Sequence, residues 1–219
     1  MKKLVLFMAL LVATCGMSYA QSVKEQAKHR KELRSVLKEK ASKDAKKEAK
    51  NYKKEGWVVS PGALPLEKQL DRAYMMEIEL DDEGYPKYII GVAQSIGGNY
   101  DGARMQALEL SKQNLAGQIQ TEVTALIENT VANEQLEEEQ AATLTKSIMA
   151  SKNLISQSIG RVVVMVECYR TLKNKNKEVL LRVAYNSDMA MKAAMKAIKK
   201  DLESKGNELH NKLDELLGW

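Results

Sequence analysis

RVVVMVECYRTLKNKNKEVLLRVAYN, residues 161–186, contains the clearest structural signal in the chain. Two runs rich in β-branched and aliphatic residues flank the short polar segment KNKNK. Such a pattern is typical of two antiparallel strands joined by a tight connection. The sequence therefore predicts a β-hairpin here, as part of a sheet that is mainly antiparallel.

The first predicted strand contains Cys168, the only cysteine after residue 20. Cys168 alternates with Val162, Val164 and Val166, and alternate residues of a strand point to the same face. We therefore expect these four side chains to share one face, with a buried and inert thiol. Because residues 21–219 contain a single cysteine, no disulfide is expected within them.

Upstream of the hairpin, the period of the apolar residues changes from strand to helix. Tyr88–Ser95 is predicted as a strand, and a helix is predicted from about Asn99 to about Val131. The polar segment NEQLEEEQ then separates this helix from a second one. The second helix has one apolar stripe, formed by Leu144, Ile148, Ile155 and Ile159.

Three further elements complete the expected fold. Trp57–Val59 fits a short edge strand, and Pro65 is well placed for the first turn of a helix that reaches Leu80. A last helix, capped by Ser187 or Asp188, follows the hairpin. The predicted class is α+β, a small and mainly antiparallel sheet with helices on one face, preceded by a long basic N-terminal helix.

The glycine-rich stretch SIGGNYDGA, residues 95–103, lies between a predicted strand and a predicted helix. A dinucleotide-binding turn needs glycines at the first, third and sixth positions, but the third position after Gly97 is Asn99. Asp101 also places a carboxylate where phosphates would lie. We expect a simple strand-to-helix turn, in which Gly97 and Gly98 supply backbone freedom and Asn99 or Asp101 caps the helix.

Ser95 also fits a variant of the hydrolase nucleophile elbow. In this variant a small residue, Ala93, lies two positions before the serine, and Gly97 lies two positions after it. Its base would have to be His210, the only histidine downstream, which lies among charged residues near the C-terminus. We therefore predict no catalytic residue and no enzyme activity.

Other reactive side chains are interpreted as structural or solvated. His29 and His210 have no cysteine or histidine partner at ligand spacing, so neither a metal site nor a cofactor is predicted. The acidic runs 81–83 and 137–139 are interpreted as solvated turns and helix faces, with weak divalent-cation binding as the alternative. Methionines 189, 191 and 195 have helical spacing and are expected in the core, the alternative being a partner-binding groove.

Positive charge is concentrated near the N-terminus. Residues 22–55 contain 13 basic and 6 acidic side chains, whereas the rest of the mature chain contains 19 basic and 23 acidic ones. The segment is rich in helix formers and poor in large apolar residues, so residues 21–56 are predicted to form a lightly packed helical arm.

Two interpretations of this arm stay open, a solvated spacer and a binding element for an anionic envelope ligand, either a lipid headgroup or a polysaccharide. In the second, the contacts are Lys46, Lys47, Lys50, Lys53 and Lys54. Nucleic acid is not an expected partner, because the arm lacks stacking aromatics and the chain is expected to be exported.

The first twenty residues, MKKLVLFMALLVATCGMSYA, have the pattern of a secretory signal peptide cleaved before Gln21. No later segment is apolar for long enough to span a membrane, so we expect a soluble periplasmic or secreted protein. Its divisions are a signal peptide (1–20), the basic arm (21–56) and a globular domain (57–219). Lipidation of Cys15, with tethering to the outer membrane, is the alternative, although Thr14 fits that processing site poorly.

The segment from about residue 88 to 200 resembles the Lpp-twenty lipoproteins, small envelope proteins of Gram-negative bacteria. A strand leading to a glycine turn is followed by an alanine-rich helix, a second helix and a valine-rich hairpin. The matching positions are Gly91, Gly102, Ala103, Ala107, Leu115, Ala116, Ile119 and Val123, with the strands 162–169 and 179–185. The resemblance implies an α+β envelope domain with no catalytic residues, and Thr14–Cys15 departs from the family's lipidation site.

These observations together predict an exported, non-enzymatic protein of the cell envelope that binds a partner or scaffolds an assembly. The alternative function is binding of an anionic envelope ligand through the basic arm. The sequence indicates an unknown envelope protein or an anionic envelope component as partner.

Overall fold

The structure is a computed structural model that describes residues 41–132, 137–206 and 209. Contacts group Ser42–Trp219 into one compact unit, which therefore includes residues 42–56 of the expected arm. The six helices and three strands found in the described residues are α1 Lys43–Lys54, α2 Leu66–Glu77, β1 Tyr88–Gly97, α3 Tyr100–Ala132, α4 Glu138–Ala150, α5 Lys152–Ser158, β2 Val163–Thr171, β3 Lys177–Asn186 and α6 Ser187–Ser204.

The sheet has the strand order β1-β3-β2, and both pairs are antiparallel. The hairpin β2–β3 confirms the prediction made from residues 161–186, and the mixed α and β composition is also confirmed. The first strand pairs with β3 along its whole length, from Tyr88 opposite Asn186 to Gly97 opposite Lys177. The last predicted strand of the chain therefore lies at the centre of the sheet.

The expected face shared by Cys168 and the valines is wrong in part. A β-bulge between Val164 and Val166 shifts the register of β2 against β3. Val164 lies opposite Val183, whereas Val166 and Cys168 lie opposite Arg182 and Leu180. Because a bulge inserts one residue, it reverses the alternation, and Val164 faces the side opposite to Cys168.

The helices upstream of the hairpin agree with the sequence, with one difference. Helix α3 spans the predicted range, and the stripe of Leu144, Ile148, Ile155 and Ile159 is buried. The expected second helix is interrupted at Ser151, which separates α4 from α5. The buried Ser151 hydroxyl donates to the Ser147 carbonyl at 2.6 Å, a back-bonding contact that commonly bends helices.

One face of the sheet carries the main core. On β3, the alternate residues Val179, Leu181, Val183 and Tyr185 point to this side. Helices α3 to α6 cover it, and their buried residues include Leu115, Ile119, Ile148, Ile155 and Ile198. The sheet and α3 approach closely at Gly91 of β1, where an added Cβ would lie 2.6 Å from the Ser111 carbonyl oxygen.

The prediction that helices cover only one face is wrong, because α1 and α2 lie on the other. Leu180 and Arg182 of β3 point to this second face. Arg182 contacts Glu48 of α1 and Glu77 of α2. The helices bury small or aliphatic residues here, namely Ala45, Ala49, Leu66, Leu70, Ala73 and Met76. The sheet is thus the middle layer of three.

Both edges of the sheet are covered by polar contacts. On β1, Asn114 and Gln118 of α3 donate side-chain hydrogen bonds to the carbonyls of Val92 and Ile90, at 2.5 and 2.8 Å. On β2, the Gln69 side-chain oxygen accepts the Glu167 N–H at 2.7 Å. Val58 exchanges two backbone hydrogen bonds of 2.8 Å with Tyr169, so the short edge strand expected at residues 57–59 is a single bridge.

Candidate anionic-ligand surface

Helix α1 has well-defined ends. It begins at Lys43, after Ser42, whose hydroxyl oxygen accepts the Ala45 N–H at 3.2 Å. Asp44 in the first turn and Lys53 and Lys54 in the last turn have the signs that the helix dipole favours. The helix ends before Gly56, whose φ of 87° suits a residue without a side chain. The expected continuous helix over 21–56 therefore has a boundary at Ser42, and its part before residue 41 lies outside the described residues.

The inner side of α1 packs through small side chains. Ala45 and Ala49 are fully or almost fully buried, at 0% and 2% exposure. Alanines four residues apart lie on one side of a helix, and their small size lets the backbone approach closely. The arm was expected to be lightly packed, but between residues 43 and 54 its inner side is closely packed.

A charged cluster sets the orientation of α1 on the sheet. The Arg182 guanidinium lies 3.4 Å from the Glu48 carboxylate and 3.1 Å from the Glu77 carboxylate. The Tyr74 hydroxyl donates a hydrogen bond to Glu48 as well. Burial, followed by this hydrogen bond to Glu48, raises the pKa of Tyr74 to about 12, so its hydroxyl stays protonated and can donate. Because Glu48 lies on the buried side, the opposite side of α1 faces solvent.

All six lysines of α1 lie on that solvent side. With successive residues about 100° apart, they fall within an arc of about 120° around the helix axis, and this arc includes neither Ala45 nor Ala49. Every one of them is exposed. We call this surface the lysine face; it consists of Lys43, Lys46, Lys47, Lys50, Lys53 and Lys54. It contains all five contacts that the sequence predicted.

Acidic neighbours neutralise little of the lysine face. Lys53 lies 3.2 Å from the Glu67 carboxylate, in a pair whose side chains are 60% and 30% exposed. The pKa of Glu67 is lowered first by a backbone N–H at the start of its own helix and then by Lys53. Among the described residues, none of the other five lysines has a carboxylate oxygen within 4.0 Å. Because Lys53 is the only one of the six lysines with such a partner among the described residues, the face keeps most of its positive charge.

The glycine turn brings the end of β1 close to the start of α3. Asn99 caps α3, since its side-chain oxygen accepts the Gly102 N–H at 2.8 Å. An added Cβ at Gly97 would lie 2.9 Å from the Ala103 nitrogen, whereas Gly98 has open space around it. Neither glycine has a positive φ, so the need at Gly97 is for space rather than for backbone freedom.

Ser95, the candidate elbow nucleophile, is a buried residue. Its hydroxyl donates a hydrogen bond to the Ala103 carbonyl and so joins the end of β1 to the start of α3. His210 lies outside the described residues, as do His29 and Cys15.

The burial and contacts of the remaining residues singled out in the sequence are as follows. Burial raises the pKa of the Cys168 thiol to about 12. The Asp81 carboxylate accepts the N–H groups of Glu83 and Tyr85, both at 2.9 Å, within the predicted turn, and residues 137–139 are exposed. Met195 is buried and Met191 packs against the core, but Met189 is exposed.

Asn186, rather than Ser187 or Asp188, caps the last helix, because β3 continues directly into it.

Two absences can be stated for the part of the chain that the structure describes. It contains no group of three or more His, Cys, Asp or Glu side chains that could hold a metal ion. None of its helices is both long and apolar enough to cross a bilayer.

Comparison of the chain with protein-family models, with curated proteins and with solved structures gives no match. The resemblance to the Lpp-twenty lipoproteins therefore stays a prediction.

Sequence reasoning missed Arg182 as the residue that holds α1 in place. A signal was present, because Arg182 is the one charged residue within the apolar run VLLRVAY. A charge in the centre of such a run predicts carboxylate partners on the covering element, here Glu48 and Glu77. The edge contacts of Asn114 and Gln118 had no comparable signal, since both are ordinary polar residues of a helix.

Proposed function

We propose that this protein is an exported, non-enzymatic protein of the cell envelope that binds an anionic envelope ligand through the lysine face. The observation that supports this function is the arrangement of α1. Its acidic Glu48 and its alanines are turned to the sheet, while its six lysines are turned to solvent. The resemblance to envelope lipoproteins and the signal-peptide pattern support the cellular setting.

The shape of the lysine face favours an extended ligand. Helix α1 has 12 residues and is about 18 Å long, with lysines from its first residue to its last. A single phosphate can contact only one part of such a surface. An array of negative charges, as on a bilayer or along a polysaccharide, can contact all of it.

The expected affinity is modest. Each lysine near an anionic bilayer contributes about 1 kcal/mol at most, so the five unpaired lysines contribute about 5 kcal/mol. This corresponds to a dissociation constant of a few tenths of a millimolar. Because the lysine face has no large apolar residue to insert, binding is reversible and decreases steeply as salt rises.

The test is co-sedimentation of the mature chain with phosphatidylcholine vesicles that contain or lack phosphatidylglycerol, at low and at physiological ionic strength. A variant with Gln at Lys46, Lys47, Lys50, Lys53 and Lys54 removes the predicted contacts. A matched control has Gln at five other exposed lysines, namely Lys146, Lys152, Lys173, Lys196 and Lys200. Retention on an immobilised anionic polysaccharide, measured with the same variants, distinguishes the two sources of negative charge.

We expect the control variant to bind like the unmodified chain and the α1 variant to lose binding. Equal losses in both variants would mean that only net charge matters, and binding that resists salt would mean that another surface makes the contact. Either result would overturn the proposal and favour a scaffold that contacts its partner elsewhere. Mass spectrometry of the native chain tests the setting, since its first residue is Gln21 in a soluble protein and an acylated Cys15 in a tethered one.

A further inference from the structure

A groove of about 710 Å³ is lined by residues between 81 and 191, none of which belongs to the lysine face. Its walls are the second half of α3, the beginning of β1, the turn at residues 81–86 and the beginning of α6. The apolar lining includes Tyr85, Ile89, Leu126 and Met191. Tyr85 and Leu126 are 66% and 38% exposed, so apolar surface remains open to a partner.

The charges that line the groove all have one sign. Its four ionisable carboxylates belong to Asp81, Glu83, Glu122 and Asp188, and the described residues of its lining include no lysine, arginine or histidine. Of the basic residues next to the lining along the chain, Lys87 is held 2.6 Å from the Glu79 carboxylate, and Lys192 follows Met191. The groove therefore presents negative charge on an apolar floor.

The Glu122 carboxylate is partly desolvated, although the residue as a whole is exposed. Burial alone raises its pKa, with no basic neighbour that would lower it. Asp81 differs, because its carboxylate accepts two backbone N–H groups of the turn. A cation brought into the groove would offset the desolvation of Glu122, which gives a charged partner an energetic advantage over a neutral one.

The spacing of the carboxylates indicates what kind of cation fits. They come from three separate elements, the turn, α3 and α6. Accordingly, no three of them form a group that could hold a metal ion within the described residues. A partner with several separated basic groups can neutralise more of them than a compact cation can.

We propose that this groove binds a basic segment of a partner polypeptide. Its lysine or arginine side chains contact Glu83, Glu122 and Asp188, and one of its aliphatic or aromatic side chains covers Tyr85 and Leu126. This contact is independent of the lysine face. It gives the protein a second binding surface of opposite charge, by which it joins an anionic ligand to a basic protein.

The test uses fluorescence anisotropy of three labelled peptides, KLKKLK, QLQQLQ and ELEELE, with the mature chain. The groove variant combines Glu83→Gln, Glu122→Gln and Asp188→Asn, while Asp81 is left to hold the turn. The control variant combines Glu137→Gln, Glu138→Gln and Glu139→Gln, three exposed residues that change the net charge equally. Thermal unfolding verifies that both variants fold.

We expect KLKKLK to bind, ELEELE not to bind, and the groove variant to bind KLKKLK about tenfold more weakly than the control variant does. Hydrogen exchange should slow at residues 118–126 when KLKKLK is added. Equal binding of QLQQLQ, or equal losses in the two variants, would overturn the proposal. Tight binding of spermidine at the same residues, without binding of KLKKLK, would replace the polypeptide by a small amine. If the groove variant fails to fold, Glu122→Gln alone is used with the same peptides and the same criteria.

Discussion

The guanidinium of Arg182, in the central strand, lies 3.4 Å from the carboxylate of Glu48, on the first helix. The same guanidinium lies 3.1 Å from Glu77 on α2. One residue of the sheet thus joins both helices of the second layer. Since Arg182 is only 15% exposed, its removal leaves two carboxylates facing each other in a partly dry interface.

Arg182→Met is therefore expected to destabilise the protein by about 2–3 kcal/mol, because breaking a buried pair leaves its charged partner uncompensated. The measurement is urea unfolding followed by circular dichroism. Arg161→Met, at an exposed arginine, should change the free energy of unfolding by no more than about 0.5 kcal/mol. Adding Glu48→Gln to Arg182→Met should recover part of the loss, and a loss that stays the same would show that the pair contributes little.

Gly91→Ala is expected to cost about 1–3 kcal/mol, since the new methyl group would lie 2.6 Å from the Ser111 carbonyl oxygen and 2.9 Å from Leu115 Cγ. Gly98→Ala is the matched control, because nothing lies within 4 Å of the added Cβ and the residue has no positive φ. Thermal unfolding of the two variants gives the comparison. Similar midpoints would contradict the close approach of β1 to α3.

Glu122→Gln should raise stability at neutral pH and have little effect in acid. Burial raises the pKa of Glu122 in the folded chain, so the protonated form is favoured there. Its cost is absent below the unfolded pKa of about 4.3 and appears as pH rises through the folded value. We expect a gain of at most about 0.5 kcal/mol at about pH 7 and none at about pH 3.5, because Glu122 is an exposed residue whose carboxylate is only partly desolvated.

The check is the difference in unfolding midpoint between the Gln variant and the unmodified chain at the two pH values. Glu109→Gln, at an exposed residue of the same helix, controls for the change in net charge. A gain that is larger in acid than at neutral pH would contradict the direction of the shift.

Alkylation of Cys168 by iodoacetamide should be slow in the folded protein. The thiol is buried, and burial raises its pKa to about 12, so very little thiolate is present at mildly alkaline pH. In urea, the same thiol should react at the rate of a free cysteine, with a pKa of about 8.5. The experiment uses the chain that begins at Gln21, in which Cys168 is the only cysteine. Fast labelling without denaturant would contradict the buried environment.

The parts of the fold that the sequence predicted are those with a continuous local signal. Two β-rich runs around a short polar turn mark the hairpin, a long helical period marks α3, and both elements are found where expected. The phase of β2 could not be predicted in the same way. In the run VVVMV every position is apolar, so nothing in the sequence marks the bulge between Val164 and Val166.

The second layer was missed for a different reason. Apolar content in α1 is limited mainly to Ala45, Ala49 and Tyr52, which on hydrophobicity alone indicates a solvated helix. Its attachment depends on Glu48 and Arg182, which are distant in sequence and meet only in the folded chain. The lysine face itself was predictable in membership, because helical spacing alone puts its residues together. Which side of α1 is buried could not be predicted, because it depends on the contact between Glu48 and Arg182.

The amide contacts at the edge of β1 have a consequence for the order of folding events. Asn114 and Gln118 shield the carbonyls of Val92 and Ile90 only after α3 has docked on the sheet. Before that moment the strand presents an open edge to other chains. A chain in which the sheet has formed but α3 is undocked would therefore be open to intermolecular pairing. Substitutions at Gly91 or Leu115, where α3 packs on β1, should therefore lower the refolding yield, and this loss should grow with protein concentration.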